Sequence, residues 1–222
     1  MRKINTHYFK ILIFSIIFAL SSLILTGCEI NAGFILKIYN QTTSTNSYGY
    51  EQTCVINFNG SDFITKSSIL KINGELLELN IVENTLGDLN DDESIVTSIQ
   101  HIYFDATFKY EKQGDIFVKT KERANFNNDN KVKLKTNYLK NIKLTNLKDE
   151  HKTLLEASIK DANISDVFNT DDLSNAKIKI LFNNNSKKVE QVILSYLSKN
   201  NNIVTITTNY YKTGQEIILP NI

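Results

Sequence analysis

Between Tyr48 and Leu219 the sequence alternates apolar and polar residues in short runs, and turn-forming residues separate the runs. A period of two puts successive side chains on opposite faces of a strand, so the pattern is that of a sheet with one buried face. In the first run Tyr48, Tyr50, Cys54, Ile56 and Phe58 share a face, with Glu51, Thr53 and Asn57 on the other. Asn59-Gly60, Asn73-Gly74 and the turn Lys112 to Asp115 offer the left-handed backbone that tight hairpins need. The spacing predicts strands over 48–58, 63–72, 75–82, 99–110, 116–124, 131–136, 141–147, 152–160, 176–182, 187–199 and 203–211, with 216–219 closing the chain. The run 152–160 also fits a helical period, and the acidic stretch 83–95 reads as a loop.

Two segments depart from that period. Phe34, Ile35, Ile38 and Tyr39 make one helical stripe within 29–47, and residues 163–175 hold a short helix between loops. Strands joined by hairpins must be antiparallel, and a sheet of many strands twists and curls. Its apolar concave face needs a cover, which the two helices supply. The expected class is therefore α+β: a strongly curved antiparallel sheet of about ten strands, a half-barrel, with one N-terminal and one late short helix over the concave face.

The first 27 residues read as an address. Arg2, Lys3 and Lys10 precede an apolar run from Ile11 to Leu25 that falls short of the ~20 residues a spanning helix needs. Leu25-Thr26-Gly27-Cys28 then resembles the bacterial lipobox. That resemblance implies diacylglycerol on the Cys28 thiol and cleavage just before it, which makes residues 1–27 a removed signal peptide, 28–33 a lipidated tether and 34–222 a single domain. It also implies an exported protein held by acyl chains, palmitate among them, to the extracytoplasmic face of the cell membrane.

Removing three cations and no anions takes the net charge from +1 to −2, because 25 − 3 = 22 basic groups then face 24 acidic ones. A mildly acidic body with no basic run beside its tether is expected to hang from the lipid rather than lie on an anionic surface, and it gives no electrostatic case for nucleic acid. With Cys28 consumed, Cys54 has no disulfide partner and reads as a buried small hydrophobe.

Catalytic signatures are missing. There is no Gly-x-Ser-x-Gly elbow and no phosphate-binding glycine loop. His101 and His151 are far apart, and His101 falls on the polar face of its strand. The acidic stretch from Asp88 fails the calcium-loop template, with Glu93 where glycine belongs and Ile99 where glutamate belongs. No cofactor, metal or enzyme activity is expected. The absence of Trp also argues against a lipocalin.

The order of elements, and above all Ile180 to Pro220 with two long strands, an Asn-Tyr-Tyr stretch and a closing Ile-Leu-Pro, resembles the lipoprotein-localisation-factor superfamily. Its nearest types are the lipid-carrying lipoproteins of mycobacteria and small surface lipoproteins of low-GC Gram-positive bacteria. The resemblance implies a half-barrel whose cavity, between sheet and helices, receives acyl chains, and it brings no catalytic residue. Candidate lining residues are Phe34, Ile38, Ile56, Phe58, Phe104, Phe108, Ile180, Phe182 and Ile206. The expected function is binding of an apolar ligand, a lipid or acyl chain. The alternative is a structural or protein-interaction lipoprotein of the cell envelope with a filled core.

Overall fold

The computed structural model describes residues 30–42, 47–58, 60–86, 95–122, 133–168, 170, 172–211 and 216–221; the signal-like segment, Cys28 and the acidic run 88–93 lie outside that set. Eleven strands form one open antiparallel sheet: β1 (Ser47–Phe58), β2 (Ser61–Asn73), β3 (Leu76–Leu86), β4 (Ile95–Phe104), β5 (Lys109–Gln113), β6 (Ile116–Thr120), β7 (Leu139–Leu147), β8 (Lys152–Ile159), β9 (Leu173–Asn183), β10 (Lys188–Ser198) and β11 (Ile203–Tyr211). Two helices accompany it, α1 (Ala32–Thr42) and α2 (Ile164–Phe168). The class is α+β, as the alternation implied.

The strand order is β6-β5-β4-β3-β2-β1-β11-β10-β9-β8-β7. Two hairpin meanders thus meet at a central seam where β1 pairs β11, with Tyr50 opposite Tyr210 and Cys54 opposite Ile206. The seam fixes the faces. Following register outward from Tyr50, Cys54 and Ile56, the inner face carries Ile206 and Val204, then Leu194 and Val192, then Ile178, Ile180 and Phe182, then Ala157 and Leu155. β8 reads buried at every second residue, which settles the strand-or-helix ambiguity of 152–160 in favour of strand. Register shifts in β1–β2, β9–β10 and β7–β8 mark bulges, and each adds twist that curls the sheet.

Helix α1 lies on this inner face. Ile35 and Leu36 are buried, and Phe34 meets the fully buried Phe182 edge-on at 5.8 Å. Tyr39 hydrogen-bonds Tyr210, whose ring packs at 6.4 Å on Tyr50, which in turn stacks at 6.2 Å on Tyr48. Helix α2 caps the far end of β9 and β10, with Phe168 edge-on to Tyr196 at 5.5 Å.

Three strand expectations give way. The predicted strand 99–110 is two strands, because Asp105 accepts the backbone N–H groups of Thr107 and Phe108, both at 2.7 Å, and the Tyr110 hydroxyl at 2.7 Å. The turn reverses the chain, so Tyr110 pairs Tyr103 and leaves the face of Ile102 and Phe104. Burial pushes Asp105 up, but those three hydrogen bonds and the nearby Lys119 outweigh it and hold the carboxyl below its ordinary value. The predicted strand 131–136 is absent from the described residues 133–136. Leu134 is 1% exposed, yet its backbone is satisfied by a side chain: Asn40 of α1 donates to its carbonyl at 2.8 Å and accepts its N–H at 3.1 Å. Residues 216–220 likewise form no strand, although Ile217 is buried.

Candidate functional site

The helices cover the inner face unevenly. Over the C-terminal meander Ile178, Ile180, Phe182, Leu155 and Val192 are all buried under α1, α2 and their neighbours. Over β1, β2 and β3, at the end holding the β10–β11 hairpin, the face is open, and there the sheet forks. The β2–β3 ladder runs from Asn73–Leu76 to Lys66–Glu83 and stops. Beyond it β2 continues along β1 to Ser61, and β3 continues along β4 to Leu86.

The fork has a local cause. The β1–β2 register slips between Cys54 and Val55 and leaves Thr65 as the extra residue. A bulge bends its strand, here away from β3. The Thr65 hydroxyl donates to the Cys54 carbonyl at 3.3 Å and stabilises the bulge. Across the gap Asn84 donates to the Ile64 carbonyl at 3.0 Å and accepts the Thr97 hydroxyl at 2.9 Å. The Lys66–Glu83 ion pair closes the apex of the fork.

The result is a cavity of about 530 Å³ lined by Cys54, Ile56, Phe63, Thr65, Lys66, Glu83, Asn84, Thr85 and Asn202. That size is within the roughly 300–1,000 Å³ of small-molecule sites. Ile56, Phe63 and the Cys54 thiol make its apolar wall, and the polar groups named above are occupied with one another. Nothing in this wall is arranged as nucleophile and base. Among the described residues no group of three His, Cys, Asp or Glu side chains is placed to hold a metal.

Of the candidate lining residues, Ile56 is in the cavity wall. Ile206 faces Cys54 across the seam, next to the cavity. Phe34 of α1 meets Phe182, Ile180 is fully buried, and Ile38 is half-buried on that helix. Phe104 packs with Tyr48, Leu70, Ile72 and Leu77, and Phe108 sits in the Asp105 turn with the Lys119 ammonium 4.1 Å from its ring centre. Phe58 ends β1, and its side chain lies outside the described set. The alternation gives no sign of Phe63 and Thr65 at the cavity, because the bulge that turns them toward it leaves no signature in the sequence. Cys54 is half-buried at the cavity rather than fully buried, a correction to the reading of a core thiol.

His101, on the polar face of its strand, is packed among aromatic rings. Its ring packs at 4.7 Å on Tyr103 and 5.6 Å on Phe117, and its Nε2 is 3.5 Å from the Glu78 carboxylate that Lys71 binds at 2.7 Å. This cluster is on the outer face, away from the cavity.

No family model matches the chain, and neither does any curated protein. Solved structures do. LprF from Mycobacterium bovis is 12% identical, with 84% of this chain and 94% of that one covered and a TM-score of 0.48. The hypothetical protein CT021 from Chlamydia trachomatis is 11% identical over 83% of this chain and 98% of its own, at 0.32. A LolA superfamily protein, NE2245 from Nitrosomonas europaea, is 8% identical over 86% and 96%, at 0.26.

Proposed function

We propose that this chain is a membrane-anchored extracytoplasmic lipoprotein that holds an apolar ligand, a lipid or acyl chain, in the fork between β2 and β3. The observation that carries the reading is the apolar-walled cavity left open on the inner face over β1, β2 and β3, whereas the inner face of the C-terminal meander is covered. Burial of apolar ligand surface is worth roughly 25 cal/mol per Å², so a hydrocarbon chain binds there without any charged contact. The work is binding, not catalysis, and needs shape rather than proton transfer. The anchor is diacylglycerol on Cys28, supported by the cationic head, the apolar run and Leu25-Thr26-Gly27 before it.

Native mass spectrometry of the membrane-extracted protein, stripped of lipid and then offered phospholipids and free fatty acids, tests the ligand. A lipid adduct is expected, and Phe63→Asp, checked for native circular dichroism, removes it. No adduct on the wild-type protein overturns the reading.

One observation favours a second reading. Ile64, Ile95, Ile99 and Ile203 are all exposed, and register puts them together on the outer face. An exposed apolar surface of that kind marks a protein-interaction site. A stable partner recovered through this face, together with an empty fork, would make the chain a structural lipoprotein of the envelope.

A further inference from the structure

Another cavity among the described residues is unlike the fork. It measures about 590 Å³ and lies between α1 and residues 133–136, with Lys37, Lys133 and Lys135 among its lining residues and no carboxylate. The fold makes this cluster; the linear sequence does not. Lys37 is on the exposed side of α1, and the two hydrogen bonds of Asn40 to Leu134, a residue 94 positions away, bring the flanking Lys133 and Lys135 beside it. Among the described residues none of the three lysines is in an ion pair, so their charge is not already matched by a carboxylate. The Lys135 ammonium is 5.2 Å from the Tyr138 ring, and Thr136 adds a hydroxyl to the lining.

We propose that this cavity is an anion site that takes the phosphate headgroup of an anionic membrane lipid. Three cations around one concavity, on a body whose mature net charge is −2, are a local reversal of sign that a phosphate monoanion or diester complements. The lipid as source rests on the anchor proposed above. Gly33, at the edge of the cavity, is five residues from Cys28, and five residue steps reach at most about 18 Å. A thioether at Cys28 therefore keeps the three ammonium groups within reach of the headgroup layer, where cations are attracted to an anionic surface. On this proposal the body does more than hang from its lipid, because the lysines hold one side of α1 against the leaflet.

Backbone hydrogen exchange over residues 33–41 and 133–136 tests the proposal, using the membrane-extracted protein in neutral detergent. Three probes are added separately: dihexanoyl phosphatidylglycerol, dihexanoyl phosphatidylcholine and inorganic phosphate. At phosphatidylglycerol ten times its Kd, exchange through local opening slows about tenfold. Phosphatidylcholine gives no such slowing, 1 M salt weakens the effect, Lys37→Gln with Lys133→Gln and Lys135→Gln abolishes it, and the three Lys→Arg replacements retain it. Slowing by inorganic phosphate equal to that by phosphatidylglycerol overturns the lipid assignment, and no slowing with any probe overturns the site. Intact mass at Cys28 is read on the same sample. An unmodified Cys28 with phosphatidylglycerol-dependent slowing sinks the anchor and leaves the site, while a lipidated Cys28 without slowing sinks the site alone.

Discussion

The two meanders share one sheet and one kind of strand chemistry, yet their inner faces differ. In β7 to β11 the alternation is converted into burial: Leu155, Ile178, Ile180 and Phe182 are shielded by helices that pack on them. In β1 to β6 the same alternation is left partly open, and β4 exposes six residues in a row before burying Ile102. The difference lies in what covers each half. Both helices sit on the C-terminal meander, so that half is packed and the other keeps an open cavity. A sheet of uniform pattern is thus filled at one end and hollow at the other.

This contrast can be broken by mutation. Phe182→Ala removes the ring that α1 rests on and costs about 3–5 kcal/mol, read as a fall in the denaturant midpoint. The phenol cluster that docks α1 adds a pH limit. Burial pushes Tyr39 up to about 12, a rise partly offset by the hydrogen bond with Tyr210, and burial pushes Tyr48 up to about 12 as well. A raised phenol pKa means that the folded state keeps its proton when the unfolded chain has lost it. Stability is therefore complete below pH 10 and falls as pH rises from there through about 12; Tyr39 alone forfeits roughly 2–3 kcal/mol over that window. Phenolate absorbance and far-ultraviolet dichroism followed together should show late-ionising tyrosines whose ionisation coincides with unfolding; tyrosines that all titrate at the ordinary value in a folded protein would refute it.

Smaller effects sharpen the comparison. Asn40→Ala leaves the buried backbone of Leu134 without its two partners and costs about 1–3 kcal/mol, with faster exchange at residue 134 as the specific readout. Ile99→Thr, on a side chain 73% exposed in the open half, changes stability by less than about 0.5 kcal/mol. An Ile99→Thr loss as large as that of Asn40→Ala would mean that the outer face is covered after all.

Most of the sheet was legible because hairpin turns and a period of two are local facts. Gly60 and Gly74 adopt positive φ at 84° and 63°, as the Asn-Gly turns required. What escaped depends on side chains reaching across the fold. Asp105 breaks a run whose apolar spacing stays perfect through Phe104, Ala106, Phe108 and Tyr110, since its carboxylate offers the backbone a better partner than a neighbouring strand does. Leu134 looks like a strand residue because it is buried, but its pairing partner is a helix side chain 94 residues away. The fork escaped for the same reason: one extra residue, Thr65, decides where β2 leaves β3, and alternation counts residues without saying which neighbour they pair with.

The pairing of β1 with β11 has a consequence for how the molecule is made. The earliest strand to emerge in synthesis waits in the middle of the sheet for the latest, with Gly49 opposite Tyr211. Until that last strand arrives, β1 and β10 each present a bare hydrogen-bonding edge to whatever is near. Loss of the final twenty residues would therefore do more than trim an end: it would unzip the molecule down its midline into two separate ribbons, each with a fresh edge open to aggregation.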